Sequence, residues 1–171
     1  ELGPFVTPEL TKRLDQIPGI NQKTIEVIVA EMGVDMSHFP TAGHLSSWAG
    51  LCPGHEESAG KLSRRQSTKG NVWLRRALGE AAWAAGRAKN SYFAAQYRRL
   101  SARRGKKRAL IAVAHSLLLV IYHLLKDPKL NYNDLGVNYF DTLEPERLRR
   151  HLVKRLEGLG FAAHLTPRAA A

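Results

Sequence analysis

The residues with the most chemical capacity lie between Gly54 and Leu78, in the stretch GHEESAGKLSRRQSTKGNVWLRRAL. It carries Lys61, Arg64, Arg65, Lys69, Arg75 and Arg76, and after Glu57 no acid appears before Glu80. Gly54, Gly60 and Gly70 punctuate it, and no apolar period begins before Val72. A segment this polar and basic cannot be core. It belongs on the surface, where its cations suit an anionic partner. Its hydroxyls, Ser58, Ser63, Ser67 and Thr68, are candidate nucleophiles for attack on a phosphodiester. Charge and spacing select none of them. By sequence physics alone each reads more readily as a turn-capping or phosphate-contacting hydroxyl.

Other chemistries lack their residues. There is no P-loop, dinucleotide fingerprint, zinc spacing or HExxH. The acids are scattered outside the basic zone, so a carboxylate cluster for two-metal chemistry is missing. His115 and His123 stand eight residues apart, about two helical turns, on an apolar segment. Without a partner motif they read as hydrogen-bonded core histidines, and no metal site is expected in this chain. The single cysteine, Cys52, excludes an internal disulfide and suits a reducing compartment. Set between Leu51 and Pro53, it reads as a small buried hydrophobe.

Net charge is +11 over 171 residues. From Lys61 to Arg108 there are 15 Lys and Arg against one acid, Glu80, a net of +14; the remainder has 11 basic and 14 acidic residues, a net of −3. The basicity therefore belongs to one segment. Nucleic acid is the favoured partner, an anionic membrane surface the second, and a solubilising face the bland alternative. Leu110–Leu125 is apolar but short of a membrane span, and no signal peptide is visible.

Helices must position this segment. Thr7 caps a first helix from Pro8; Ile17-Pro-Gly-Ile20 turns the chain; a second helix buries Ile25, Ile28, Val29 and Met32 and ends at Gly33. Helix, Pro-Gly turn, helix is the outline of a helix-hairpin-helix unit over 10–33, whose turn at Pro18, Gly19 and Asn21 offers backbone N–H groups to a phosphate. Asn21 stands where a second glycine is usual, and Asn tolerates the left-handed conformation. A plain αα-corner is the alternative. Thr41 caps a third helix to Ala49, with Leu45, Trp48 and Ala49 toward the core. Leu62–Ser67 offers a weak strand signal, one arm of a hairpin turning at Ala59-Gly60. Asn71 caps Val72–Lys89, with Trp73, Leu74, Ala77, Leu78, Ala81 and Ala85 inward and Gly79 and Gly86 permitting close packing. Ser91 caps the next helix, which runs into a second basic stretch containing Arg103, Arg104, Lys106 and Lys107. Leu110–Lys126 is apolar nearly all round and reads as the central buried helix. Residues 1–7 read as a linker end and 8–140 as the main domain. In 141–171, an amphipathic helix Glu144–Leu159 turns Leu148, Leu152, Leu156 and Leu159 inside, and the tail from Gly160 reads as frayed or as a hinge. The fold class is mainly α, a compact multi-helix domain with one basic loop.

An ordered series of motifs resembles a known family. Ile17-Pro-Gly-Ile20 is followed by Phe39-Pro-Thr-Ala, Leu45, Trp48-Ala-Gly-Leu-Cys-Pro53, Ser58-Ala-Gly-Lys61, Thr68-Lys-Gly-Asn71, Leu74-Arg-Arg-Ala-Leu78, Arg103-Arg-Gly-Lys-Lys-Arg108, Ala112-Val-Ala114 and Tyr122-His-Leu-Leu125. From about Leu10 to Gly136 the chain is similar to the C-terminal transposase domain of the IS-one-ten insertion-sequence family, the bridge-RNA-guided serine-type DNA recombinases. The resemblance implies a serine nucleophile in a Ser-Gly-Gly-Lys-like motif, carried here by Ser58 of Ser58-Ala-Gly-Lys61. The departures are Ala59 for the usual glycine, which restricts the loop backbone, and Glu57, which would repel a phosphate if ionised beside it. The resemblance further implies an N-terminal RNase H-like domain with four acidic ligands for a divalent metal such as Mg, absent from this chain, without which the chain is catalytically incomplete. It implies DNA and a structured guide RNA as partners, a homo-oligomer, no membrane, and a bacterial cytoplasmic, nucleoid-associated setting. The rival readings are a non-catalytic helix-hairpin-helix module for DNA or RNA, and a protein-interaction domain whose basic loop is only a solvated face.

Overall fold

Polar residues at helix starts set the frame. In the computed structural model residues 6–52 and 69–166 are described in full, and 56–58 and 61–64 as backbone. α1 (Pro8–Leu14) follows Thr7, whose hydroxyl accepts from the Leu10 amide at 3.2 Å. α2 (Gln22–Met32) follows Asn21, whose side-chain oxygen accepts from the Thr24 amide at 2.9 Å. A 3-10 turn, Met36–His38, leads to α3 (Ala42–Trp48), capped by Thr41. Two short antiparallel strands follow, β1 (Glu56–Ser58) and β2 (Lys61–Arg64). Asn71 caps α4 (Val72–Ala85), Ser91 caps α5 (Tyr92–Arg104), and α6 is Lys106–Lys126. The expected caps Thr7, Thr41, Asn71 and Ser91 all form. Each satisfies an otherwise orphaned N–H, worth about 1 kcal/mol.

The chain divides into two compact units, Glu1–Val137 and Asn138–Ala171. In the first, α6 is the central element and meets α1, α3, α4 and α5. Val113, Ala114, Leu117, Leu118, Ile121 and Tyr122 lie buried with Leu14, Ile25, Ile28, Leu45, Leu74 and Leu78 from the surrounding helices. Tyr122 enters the core without a polar penalty, because its hydroxyl donates to the Phe39 carbonyl at 2.9 Å. Among the described residues α6 alone has the length and apolarity to cross a membrane: its 21 residues include an 18-residue window of mean hydropathy 1.8, and half of that window is buried inside the protein. It begins four residues before the expected Leu110, because Lys and Arg are good helix formers. Gly105, at φ 85 and ψ 158, turns the chain from α5 to α6 in one residue.

Two glycines permit close approach. A Cβ on Gly19 (φ +86) would fall within 3.0 Å of the Ala81 carbonyl oxygen and the Ala85 amide nitrogen, so the Pro-Gly turn is pressed onto α4. Gly86 lies under the Tyr97 ring, 3.0 Å from where its Cβ would be. Gly79 has nothing within 4 Å, so it plays no such part. Asn21 is extended at φ −132 and is not left-handed; it caps α2 and does not replace a glycine.

Three side chains sit farther out than expected. Trp73 is 64% exposed, because the buried stripe of α4 runs through Leu74, Ala77, Leu78, Ala81 and Ala85 and leaves position 73 about a quarter-turn away. Trp48 is also exposed, with its ring 5.5 Å from that of Phe39. Cys52 is only partly buried.

The second unit holds α7 (Tyr139–Leu143) and α8 (Pro145–Gly158). Leu152, Leu156 and Leu159 are exposed and Leu148 is half-buried, contrary to their expected inward placement. A five-residue helix has too little surface to cover a 14-residue amphipathic one. α8 stops in a turn at Gly160, and the end of the tail, residues 167–171, lies outside the described residues. Gly160 (φ +88) and Phe161 donate N–H bonds to the Glu157 and Leu156 carbonyls at 2.9 and 3.1 Å, a Schellman arrangement.

Candidate functional site

The basic loop leaves the scaffold at α3 and returns at α4, and the fold ties these two points together. α3 ends in a Schellman motif. Gly50 (φ +69) donates to the Ser47 carbonyl and Leu51 to the Ser46 carbonyl, both at 3.0 Å, and Leu51 is buried. On the return side, a Cβ on Gly70 would fall within 3.0 Å of the Ala49 carbonyl carbon and oxygen and the Gly50 amide nitrogen. Only glycine allows the two backbones to touch there. Asn71 then fixes the start of α4. Its side-chain oxygen accepts from the Leu74 amide at 2.9 Å, and its amide donates to Glu31 at the end of α2 at 2.6 Å. Three helices thus hold the two ends of the loop in one place.

Within the loop, β1 and β2 pair with Glu56 opposite Arg64, Glu57 opposite Leu62 and Ser58 opposite Lys61. The register shift between Glu56 and Glu57 leaves Ser63 as the extra residue of a bulge. Ser58 and Lys61 are the closing pair of the hairpin, and β2 takes in residues 62–64 of the expected arm Leu62–Ser67, the rest of which lies outside the described residues. Arg65, Ser67 and Thr68, along with Ala59, Gly60 and His55, lie outside the described residues.

The remaining cations fall into two groups. Lys69 is exposed ahead of α4, and Arg75 and Arg76 stand in that helix's first turns, Arg76 pairing with Glu80 at 3.3 Å. Arg103 and Arg104 form the last turn of α5, and Lys106 and Lys107 the first turn of α6, all exposed. With Arg108 they place five cations in six residues around Gly105. Lys106, Lys107 and Arg108 sit at a helix N-terminus, where the partial charge of the backbone is also positive. The Pro18–Gly19 turn borders a cleft of about 130 Å³ shared with Asn21, Lys23 and Glu80. Its packing on α4 gives the turn a structural role independent of any phosphate.

His115 is half-buried, and burial holds its imidazole below the usual histidine range; His123 is exposed against the Tyr122 ring. Among the described residues no three His, Cys, Asp or Glu side chains gather where they could share a metal ion. The divalent metal implied by the resemblance is assigned by it to the other domain. Sequence reasoning missed Glu31, which is 40 residues from Asn71 and carries no local signal of the contact. It also missed the closure at Gly70, whose one signal was a glycine just ahead of a cap.

The fold and site together define a helical scaffold that presents a clamped, cationic hairpin loop and a second cationic corner. The sequence matches the family described as Transposase IS116/IS110/IS902 over residues 11–98. The chain belongs to that transposase family. Among curated relatives, pilin gene-inverting proteins of Moraxella bovis and Moraxella lacunata are each 33% identical over 126 residues, covering 70% of this chain and 39% of theirs. An insertion element IS110 protein of 43.6 kDa from Streptomyces coelicolor is 32% identical over 124 residues, 69% of this chain and 29% of that protein. The chain therefore spans about two-fifths or less of the length of these relatives.

Proposed function

We propose that this chain is the DNA-binding, nucleophile-bearing part of a transposase or site-specific recombinase, with Ser58 as the nucleophile. The observation that carries the reading is the register that sets Ser58 opposite Lys61 in a hairpin, on a loop whose two ends meet at Gly70. Membership of the transposase family supports it, and a relative named for inverting a gene suits strand exchange.

The step is a transesterification. The Ser58 oxygen attacks a DNA phosphorus and forms an O–P bond while the bond from phosphorus to a deoxyribose oxygen breaks. The serine proton passes to solvent or a base, the departing oxygen takes one up, and a phosphoserine ester holds the strand. One phosphodiester is exchanged for another, so rejoining consumes no energy source. Lys61, Arg64 and Arg65 would supply the cationic field that offsets charge growing on the phosphoryl oxygens. Lys69, Arg75, Arg76, Arg103, Arg104, Lys106 and Lys107 would hold the flanking backbone. The same proposal takes a structured guide RNA, a homo-oligomer and a metal-bearing N-terminal domain from the family resemblance.

Ser58→Ala in the full-length protein tests it. DNA and RNA affinity should stay within about threefold, because a neutral hydroxyl contributes roughly 0.5–1.5 kcal/mol. Strand cleavage and any denaturation-resistant protein–DNA adduct should disappear, while Ser63→Ala and Ser67→Ala keep both. An adduct recovered from Ser58→Ala and mapped by peptide mass would move the nucleophile elsewhere.

A further inference from the structure

The base of the loop recruits a carboxylate from far along the chain. Glu31 is half-buried in the last turn of α2, and its Oε2 accepts from the Asn71 Nδ2 amide at 2.6 Å. The other end of the same amide, Oδ1, accepts from the Leu74 N–H at 2.9 Å and starts α4. A carboxylate only accepts, so it holds the NH2 end of the amide and leaves the oxygen to the cap. A hydrogen bond to a charged acceptor is also stronger than a neutral one. Glu31 stands where a helix does not favour it, because an acid in the last turn meets the negative end of the helix dipole. The residue before Asn71 has no room to move. A Cβ on Gly70 would fall within 3.0 Å of the Ala49 and Gly50 backbone, so a rotation at Asn71 either presses the two backbones together or parts them. The hairpin is tethered close to this point. Three residues join Cys52 to β1 and four join β2 to Lys69. At about 3.3–3.6 Å per residue, neither connection spans more than roughly 18 Å.

We infer that Glu31 is a positioning residue for the Ser58 chemistry: it sets the Asn71 amide, and through it the place where the returning arm of the hairpin loop stands. This rests on the strand-exchange reading above. The role is toward the protein and not toward DNA, since a carboxylate would repel the phosphates that the loop's cations suit. What Asn71 needs at Nδ2 is an acceptor. A side-chain amide at position 31 supplies one, and a methyl group does not. β1 and β2 share one ladder, so a shift of the arm that carries Lys61 moves Ser58 with it. A misplacement of about 1 Å at the reacting atoms costs on the order of a hundredfold in rate. Binding survives such a shift, because a lysine reaches its phosphate on a flexible four-carbon stem.

The test takes the full-length protein through Glu31→Ala, Glu31→Gln, Asn71→Ser and the Glu31→Ala/Asn71→Ser pair, with Arg13→Ala as the control. Single-turnover cleavage at saturating DNA, DNA affinity and Tm are measured for each. Glu31→Ala should slow cleavage by about tenfold to a hundredfold. Its DNA affinity should stay within about threefold of wild type, because no phosphate contact is lost. Glu31→Gln should keep at least about a third of the wild-type rate, its amide oxygen still accepting from Asn71. Serine at position 71 keeps a capping oxygen but cannot reach Glu31, so Asn71→Ser should match Glu31→Ala with the end of α2 left intact. The pair should be no slower than either single variant, since both remove one interaction. Arg13→Ala, which loosens the C-terminus of α6, should lower Tm and leave the cleavage rate alone. A wild-type rate in Glu31→Ala would overturn this inference and leave strand exchange by Ser58 standing. So would a Glu31→Gln as slow as Glu31→Ala, losses that multiply in the pair, or an equal slowing in Arg13→Ala, which would tie the rate to stability alone. A wild-type protein that forms no DNA adduct through Ser58 would overturn both readings.

Discussion

Gly70→Ala is the most direct test of how the loop is held. The added Cβ would meet the Ala49 carbonyl and the Gly50 amide nitrogen inside 3.0 Å, a separation real Cβ atoms essentially never show. The obstructing atoms are backbone at the end of a Schellman motif, with Leu51 buried just beyond, so they cannot swing aside as a flexible side chain would. Gly70 is not among the glycines with positive φ, so its backbone conformation is open to alanine and the cost is steric alone. Overpacking of this kind costs about 1–3 kcal/mol. At roughly 2–4 °C per kcal/mol for a domain of this size, Tm should fall by about 2–12 °C. Gly79→Ala is the matched control. It is the same substitution on α4, with nothing within 4 Å of the new atom, so it should raise stability by about 0.5–1 kcal/mol through helix propensity. Thermal unfolding followed by far-UV circular dichroism reads both. Cleavage adds a second readout. If the loop shifts by about 1 Å to relieve the clash, the proposed Ser58 chemistry should fall by roughly 10²-fold while DNA affinity changes little. Equal Tm values for Gly70→Ala and wild type would refute the closure, and a parallel fall in Gly79→Ala would show that space is not what these glycines provide.

Alanine at Arg103, Arg104, Lys106 and Lys107 together should flatten the plot of log K against log[salt] for DNA by about 3–4 units, one per phosphate released; an unchanged slope would remove this corner from the interface. Arg13 donates to the Leu124, Asp127 and Leu130 carbonyls at 2.7, 3.0 and 2.8 Å, closing the C-terminus of α6. Arg13→Ala should cost about 1.5–3 kcal/mol by urea unfolding and Arg13→Lys should recover less than half, since an ammonium cannot span three acceptors as the guanidinium fork does; a loss below about 0.5 kcal/mol would make the contact ornamental. Burial lowers the His115 pKa below its ordinary 6.5, so the unfolded chain takes up the proton first as pH falls. The stability present above pH 6.5 should therefore decline as pH drops through 6.5 toward the lower folded value, and His115→Gln should flatten that decline. Parallel stability curves for the two proteins below pH 6.5 would show that the burial carries no such linkage.

Local signals carried most of the fold. A cap needs a residue and an amide three positions on, so Thr7, Thr41, Asn71 and Ser91 were legible, as was α6 from its unbroken apolar run. The hairpin was legible as a glycine-bearing turn between polar arms. Contacts that span sequence were not. Arg13 reaches carbonyls 111 to 117 residues away, and Asp134 accepts from the Tyr92 amide at the start of α5, 42 residues back. Faces were misread where one residue lies beside the buried stripe, as with Trp73, or where no partner surface lies in the same unit, as with the leucines of α8. Within the site, the cations were visible as charge. The choice of Ser58 among four hydroxyls came from the resemblance, because nothing local distinguishes one serine in a polar loop from another.

The corner at Gly105 breaks two local rules at once. Lys106, Lys107 and Arg108 occupy the first turn of a helix, where acids are preferred and each cation costs about 0.3–1 kcal/mol at low ionic strength. The helix has no side-chain cap there, and Gly105 sits in a backbone region reached essentially only by glycine. Arg103 and Arg104 bring two more cations to the same point from the favourable end of α5. Among the described residues no acid pairs with any of the five. A sequence selected for stability alone would place a carboxylate in that turn, and conflict of this sort between local preference and position is expected at functional or strained sites. A phosphate backbone laid across the corner would reverse every unfavourable sign. It would cap the free N–H groups, neutralise the cations and turn the helix end from a liability into an attraction. That is the physical ground on which residues 103–108 join the hairpin in the proposed DNA interface.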